Sequence, residues 1–125
     1  MKPVAHNSRP YYNKLIGPLR EKARELGYAL AVHGTLKRDI DLIACPWTHE
    51  AEHPFILARE LRKVAEAVVG YAQPALHERS DWHEMGMPGS TKPHGRLCWT
   101  FLLKRNLPSH KCPYIDLSVM PRIHR

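Results

Sequence analysis

The sequence predicts an α+β domain: a small mixed or antiparallel sheet of about four strands, with two main helices on one face. Three observations carry that expectation. Two segments repeat apolar residues every three or four positions, which is helical spacing. Four others read as strands, and three of them alternate apolar and polar residues with a period of two. The chain of 125 residues, 43% hydrophobic and 25% charged, suits one globular domain over residues 1–125 with a single core.

Residues 1–10 read as a loose arm ending at Pro10. From Tyr11 to Leu26 the apolar positions Tyr11, Leu15, Leu19, Ala23 and Leu26 form a helical stripe, and Gly27 is a natural stop. Pro18 interrupts this stripe and predicts a kink, or a fresh helix start after Gly17. Tyr28 to His33 reads as a short strand closed by Gly34, and Asp39 to Cys45 as a second strand ended by Pro46. Pro54 opens a second helix whose apolar face holds Leu57, Leu61, Val64, Ala65 and Val68, with Gly70 at its end. Residues 71–94 form a long irregular stretch rich in Pro, Gly, Ser and His, of the kind that is functional or mobile more often than filler. Arg96 to Leu103 and Pro113 to Val119 read as an antiparallel hairpin.

Alternation then sorts the side chains. Ile40, Leu42 and Ala44, with Ile115, Leu117 and Val119 and with Leu97, Trp99, Phe101 and Leu103, form an apolar wall for the helices. The opposite face collects Asp39, Asp41, Asp116, Arg96, Thr100 and Ser118. Three carboxylates on one face repel one another unless a cation sits between them or one takes up a proton. Oxygen ligands of this kind suit hard Mg²⁺. A lone Asp-x-Asp pair is ordinarily a solvated feature of a strand. The third aspartate on the matching face favours a metal site.

Just ahead of the pair stands His33-Gly34-Thr35. Gly34 lets the backbone approach a ligand closely, and Thr35 adds a hydroxyl beside exposed N–H groups, a combination that can hold phosphate or simply make a turn. Together, AVHGTLKRDIDLIACPW and the later YIDLSVMP resemble the nucleotidyltransferase superfamily, the DNA polymerase β-like fold. The chain is also similar to small phage-encoded nucleotidyltransferase-like proteins. Thr35 stands where the family usually has Ser or Gly, and only Leu36, Lys37 and Arg38 separate the turn from Asp39, where the family usually has a longer segment. The resemblance implies that Gly34 and Thr35 grip a triphosphate, that Asp39 and Asp41 bind two Mg²⁺ ions, and that Asp116 completes the metal and catalytic site.

Lys37, Arg38 and Arg96 are further candidates for nucleotide binding, with Arg96 alternatively paired to Asp116. His33 reads as structural, Trp99 as core, and Trp82 beside His83 as a stacking residue in the long loop. The implied activity is Mg²⁺-dependent transfer of a nucleotidyl group from a nucleoside triphosphate to a hydroxyl acceptor. The alternatives are an inactive binding protein of phage or host, gripping nucleic acid or an acidic protein, and a two-metal nuclease or phosphohydrolase.

Lys and Arg total 19 against 12 Asp and Glu, a net charge of +7 that favours polyanionic partners. No apolar run is long enough to span a bilayer, so no membrane partner is expected. The polar first ten residues lack a signal-peptide core, which predicts a cytoplasmic protein, in the host cytoplasm if phage-encoded. Three cysteines without close spacing argue against a disulfide framework and read as small hydrophobes.

Overall fold

The structure, a computed structural model, describes residues 8–36, 39–74, 90–92, 95–105, 107 and 112–122. In chain order the elements are α1 (Arg9–Glu25), β1 (Tyr28–His33), β2 (Ile40–Pro46), α2 (Pro54–Val69), β3 (Gln73–Pro74), β4 (Ser90–Lys92), β5 (Arg96–Leu102) and β6 (Tyr114–Val119). The class is α+β, as expected. The strands lie in the order β1-β2-β6-β5-β3, and β4 also pairs with β5. β2 and β6 run parallel, while the other pairs are antiparallel, so the sheet is mixed.

The apolar stripes explain how the helices sit. Leu15, Leu19 and Ala23 of α1 and Leu57, Leu61 and Ala65 of α2 are buried in one core with Ile40, Leu42, Trp99, Phe101, Ile115 and Leu117 from the sheet. α1 is one helix through Pro18, with no fresh start there. A proline at this position leaves the carbonyl four residues earlier, that of Lys14, without its usual donor. Lys14 and Pro18 are exposed, so water can serve that carbonyl, while Leu15 and Leu19 hold both halves against the core. The helix also starts earlier than the arm reading allowed: Arg9 and Pro10 form its first turn, and the buried Ser8 accepts a hydrogen bond from Tyr12 N at 2.9 Å. Residues 1–7 lie outside the described residues.

At the end of α1, Gly27 has φ +90°, and a Cβ there would lie 2.7 Å from Ala51 Cα, so the chain turns into β1 only with glycine. The Tyr28 hydroxyl donates to Glu52 O at 2.6 Å and ties the β1 start to the approach to α2. His53 Nδ1 accepts from Phe55 N and Gly70 closes α2 in a left-handed turn.

The 71–94 stretch is not wholly irregular. Its two ends supply β3 and β4, both paired to β5, and these are too short to show a period-two pattern. Residues 75–89, with Trp82 and His83, lie outside the described residues. Cys98 and Cys112 are buried as expected, whereas Cys45 is exposed; Cys45 and Cys98 both alternate to the face away from the core, and that face is covered at Cys98 but not at Cys45.

Candidate functional site

Period-two alternation puts Asp41 and Asp116 on the sheet face away from the core, and the parallel pairing of β2 with β6 sets them side by side. The same register row continues to His33 on β1 and Thr100 on β5. Asp39, just ahead of β2, joins them. Asp39, Asp41 and Asp116 each offer a carboxylate oxygen, and these oxygens all lie within 4.8 Å of one another. Each of the three side chains is half-buried.

Such proximity leaves a clear electrostatic mark. Burial, a hydrogen bond to Asp39 and the charges of Asp39 and Asp116 push the Asp41 carboxyl up to about 7. Burial and the charges of Asp39 and Asp116 likewise raise the neighbouring Tyr114 phenol to about 12, with Tyr114 donating to Asp39. Thr100 Oγ1 donates to Asp116 Oδ1 at 2.7 Å and fixes that carboxylate. Among the described residues the ion pairs lie on α1 and α2, and none reaches the three aspartates. A proton on Asp41, or a cation in its place, relieves the repulsion.

The turn after β1 leans over this cluster. Gly34 has φ +87°, and a Cβ there would lie 3.1 Å from Asp41 Oδ2. Glycine therefore leaves the carboxylate approachable from the turn. Leu36 holds the left-handed region at φ 65°, with its side chain partly buried against the core. Gly34 and Thr35 are exposed beside the aspartates. Lys37 and Arg38 lie outside the described residues, so their candidacy for nucleotide binding is an expectation only.

Arg96 shares the open face but not the cluster. It lies four residues before Thr100, about 13 Å along β5, and its guanidinium donates to Ser118 Oγ at 3.5 Å. The pairing with Asp116 is therefore replaced by two contacts, Thr100 to Asp116 and Arg96 to Ser118. The row also brings in residues whose part was not legible beforehand. His33 is exposed opposite Asp41, and Thr100 and Tyr114 hydrogen-bond the aspartates. Strand alternation placed Thr100 and Tyr114 on this face, but only the register makes them partners.

Three hard oxygen donors at this spacing fit an Mg²⁺-sized cation. The glycine-opened approach and the absence of ion pairs to the three among the described residues fit it as well. Comparison of the chain with protein families, curated proteins and solved structures finds no match. No helix among the described residues is long and apolar enough to cross a membrane.

Proposed function

We propose that the protein is an Mg²⁺-dependent nucleotidyltransferase, moving a nucleotidyl group from a nucleoside triphosphate to a hydroxyl acceptor. The observation that carries this reading is the convergence of Asp39, Asp41 and Asp116 beside the Gly34-Thr35 turn. The motif resemblance supports the same reading. Asp39, Asp41 and Asp116 would hold Mg²⁺, which supplies positive charge against the triphosphate. The exposed Gly34-Thr35 backbone and hydroxyl would bind the phosphate tail.

The chemistry asked of the protein is positioning and proton acceptance. The acceptor oxygen bonds to the α-phosphorus, the bond from that phosphorus to the departing phosphates breaks, and pyrophosphate leaves. Asp116, held at one oxygen by Thr100, would take up the acceptor's proton directly or through a water.

The test is a transfer assay with α-labelled nucleoside triphosphates and Mg²⁺ across candidate acceptors, comparing the wild type with Asp116→Asn. The reading expects label on an acceptor and its loss in the variant. Label released only as free monophosphate, equally with and without an acceptor, would instead identify a phosphohydrolase. No turnover together with no Mg²⁺-nucleotide shift in the melting temperature removes the enzyme reading.

A further inference from the structure

We infer that the exposed sheet face along β1 and β2, running from the three aspartates to Trp47, is a track for single-stranded nucleic acid. This deepens the proposed function and rests on it in one respect: the end of that strand would supply the acceptor hydroxyl.

The register supplies the track. Along β2 the open-face positions after Asp41 are Ile43 and Cys45. Just past the end of β2, Trp47 N donates to Gly27 O at 3.0 Å, one hydrogen bond beyond the last β1–β2 pair. Two residues after the exposed, outward-facing Cys45, Trp47 continues the spacing of that face. It is 63% exposed, more than any other large hydrophobic among the described residues. Beside this line β1 presents Ala29 and Ala31, small and exposed, which leave the face flat. On β6 the sequence after Asp116 continues through Ser118 to Met120, whose N–H donates to Ala44 O. On β5 lies Arg96, hydrogen-bonded to Ser118, and Lys92 of β4 is in register with it.

The charges fall into two zones. Beyond the aspartate row, the open-face positions of β1, β2, β5 and β6 carry no Asp or Glu among the described residues. Arg96 has no carboxylate partner among them. A guanidinium beside a hydroxyl suits a phosphate. Ser118 lies two residues from Asp116, about 7 Å along β6, comparable with the step between neighbouring phosphates in an extended strand. An exposed indole offers a stacking surface for any base, with little regard to sequence. From Asp41 to Trp47 is six residues, about 20 Å, room for about four nucleotides, at the small end of single-strand sites. The net charge of +7 favours the same polyanion. A duplex keeps its base faces stacked inside and leaves the indole unused. An acidic peptide would engage Arg96 but leave Trp47 without a base.

The test is fluorescence anisotropy of a labelled oligothymidylate about eight nucleotides long, with the full chain, in chelator and without triphosphate. Wild type is expected to bind it more tightly than a duplex of equal length. Trp47→Ala should weaken binding about tenfold, and Trp47→Phe should restore most of it. Arg96→Gln should weaken it severalfold and lower the salt slope by about one. Asp39→Asn should bind as well as wild type or better. Circular dichroism melts establish that each variant is folded. No binding by wild type, equal affinity for duplex, unchanged affinity in both Trp47→Ala and Arg96→Gln, or equal competition by polyglutamate each overturns the inference. Because metal and triphosphate are absent, these results are independent of the Mg²⁺-nucleotide melting shift that tests the aspartates.

Discussion

The two faces of β2 and β6 share a backbone but answer to different physics. On the core side Ile40, Leu42, Ala44, Ile115, Leu117 and Val119 are each no more than 1% exposed. On the open side Asp41 and Asp116 stand next to each other with their charges in conflict, and Cys45 is exposed. The core face stabilises by burial, and what it requires is apolar volume in the right place. The open face works against stability, because three carboxylates meet where none gains a cationic partner among the described residues. Neighbouring residues on one strand should therefore respond to substitution in opposite ways.

The largest expected effect is on the core side. Leu117→Ala removes a fully buried side chain and should lower stability by about 2–5 kcal/mol in denaturant melts. Ser118→Ala, one residue on, should change it by less than about 1 kcal/mol. Similar losses for both would erase the distinction between the faces.

A smaller effect, of opposite sign, is expected at Asp41. Its carboxyl is raised from the usual carboxylate value to about 7 in the folded state. Between those two values the folded protein holds a proton that the unfolded chain releases, so stability falls as pH rises through that window and levels off above it. Asp41→Asn should remove the fall. In chelator at pH 8 the variant should be more stable than wild type by about 1–2 kcal/mol, a figure discounted for the partial exposure of the group. The gain should shrink steadily as the pH is lowered towards 4. A constant difference across that range would place the source of strain elsewhere.

Thr100→Val probes the link between the faces' two edges at a lower magnitude. It removes the 2.7 Å donor to Asp116 and keeps the side-chain shape. It should cost about 1–2 kcal/mol when Asp116 is ionised and slow any transfer that uses Asp116 as proton acceptor. An unchanged melt above neutral pH would show that Thr100 does not hold the carboxylate.

How much of this was legible beforehand follows from what each signal encodes. Period-two alternation reports which face a residue occupies, and it set Asp39, Asp41 and Asp116 opposite the apolar wall. It does not report which strands are neighbours. β6 lies parallel between β2 and β5, although it is the last strand in the chain, and only that register puts Asp116 beside Asp41 and Thr100 beside Asp116. Arg96 shows the consequence: the right face, but about 13 Å too far along the strand to pair with Asp116. Pro18 was read as a kink or a fresh helix start because local preference disfavours it, and α1 runs on through it without a fresh start because Leu15 and Leu19 are buried on either side. The exposure of Trp47 was hidden as well. β2 does end at Pro46, as read, and Trp47 follows it with a single hydrogen bond to Gly27 O, a placement that no sequence pattern encodes.

The central claim is that Asp39, Asp41 and Asp116 act as one cation site for nucleotide chemistry. Calorimetric titration of Mg²⁺ into the protein at pH 7, with a non-hydrolysable triphosphate present, tests it most directly. The expected result is saturable binding with release of protons, since Asp41 is partly protonated at that pH. Asp39→Asn and Asp41→Asn should each weaken that binding by more than about tenfold while remaining folded. Flat heats from the wild type, or binding that both variants retain in full, would contradict the claim.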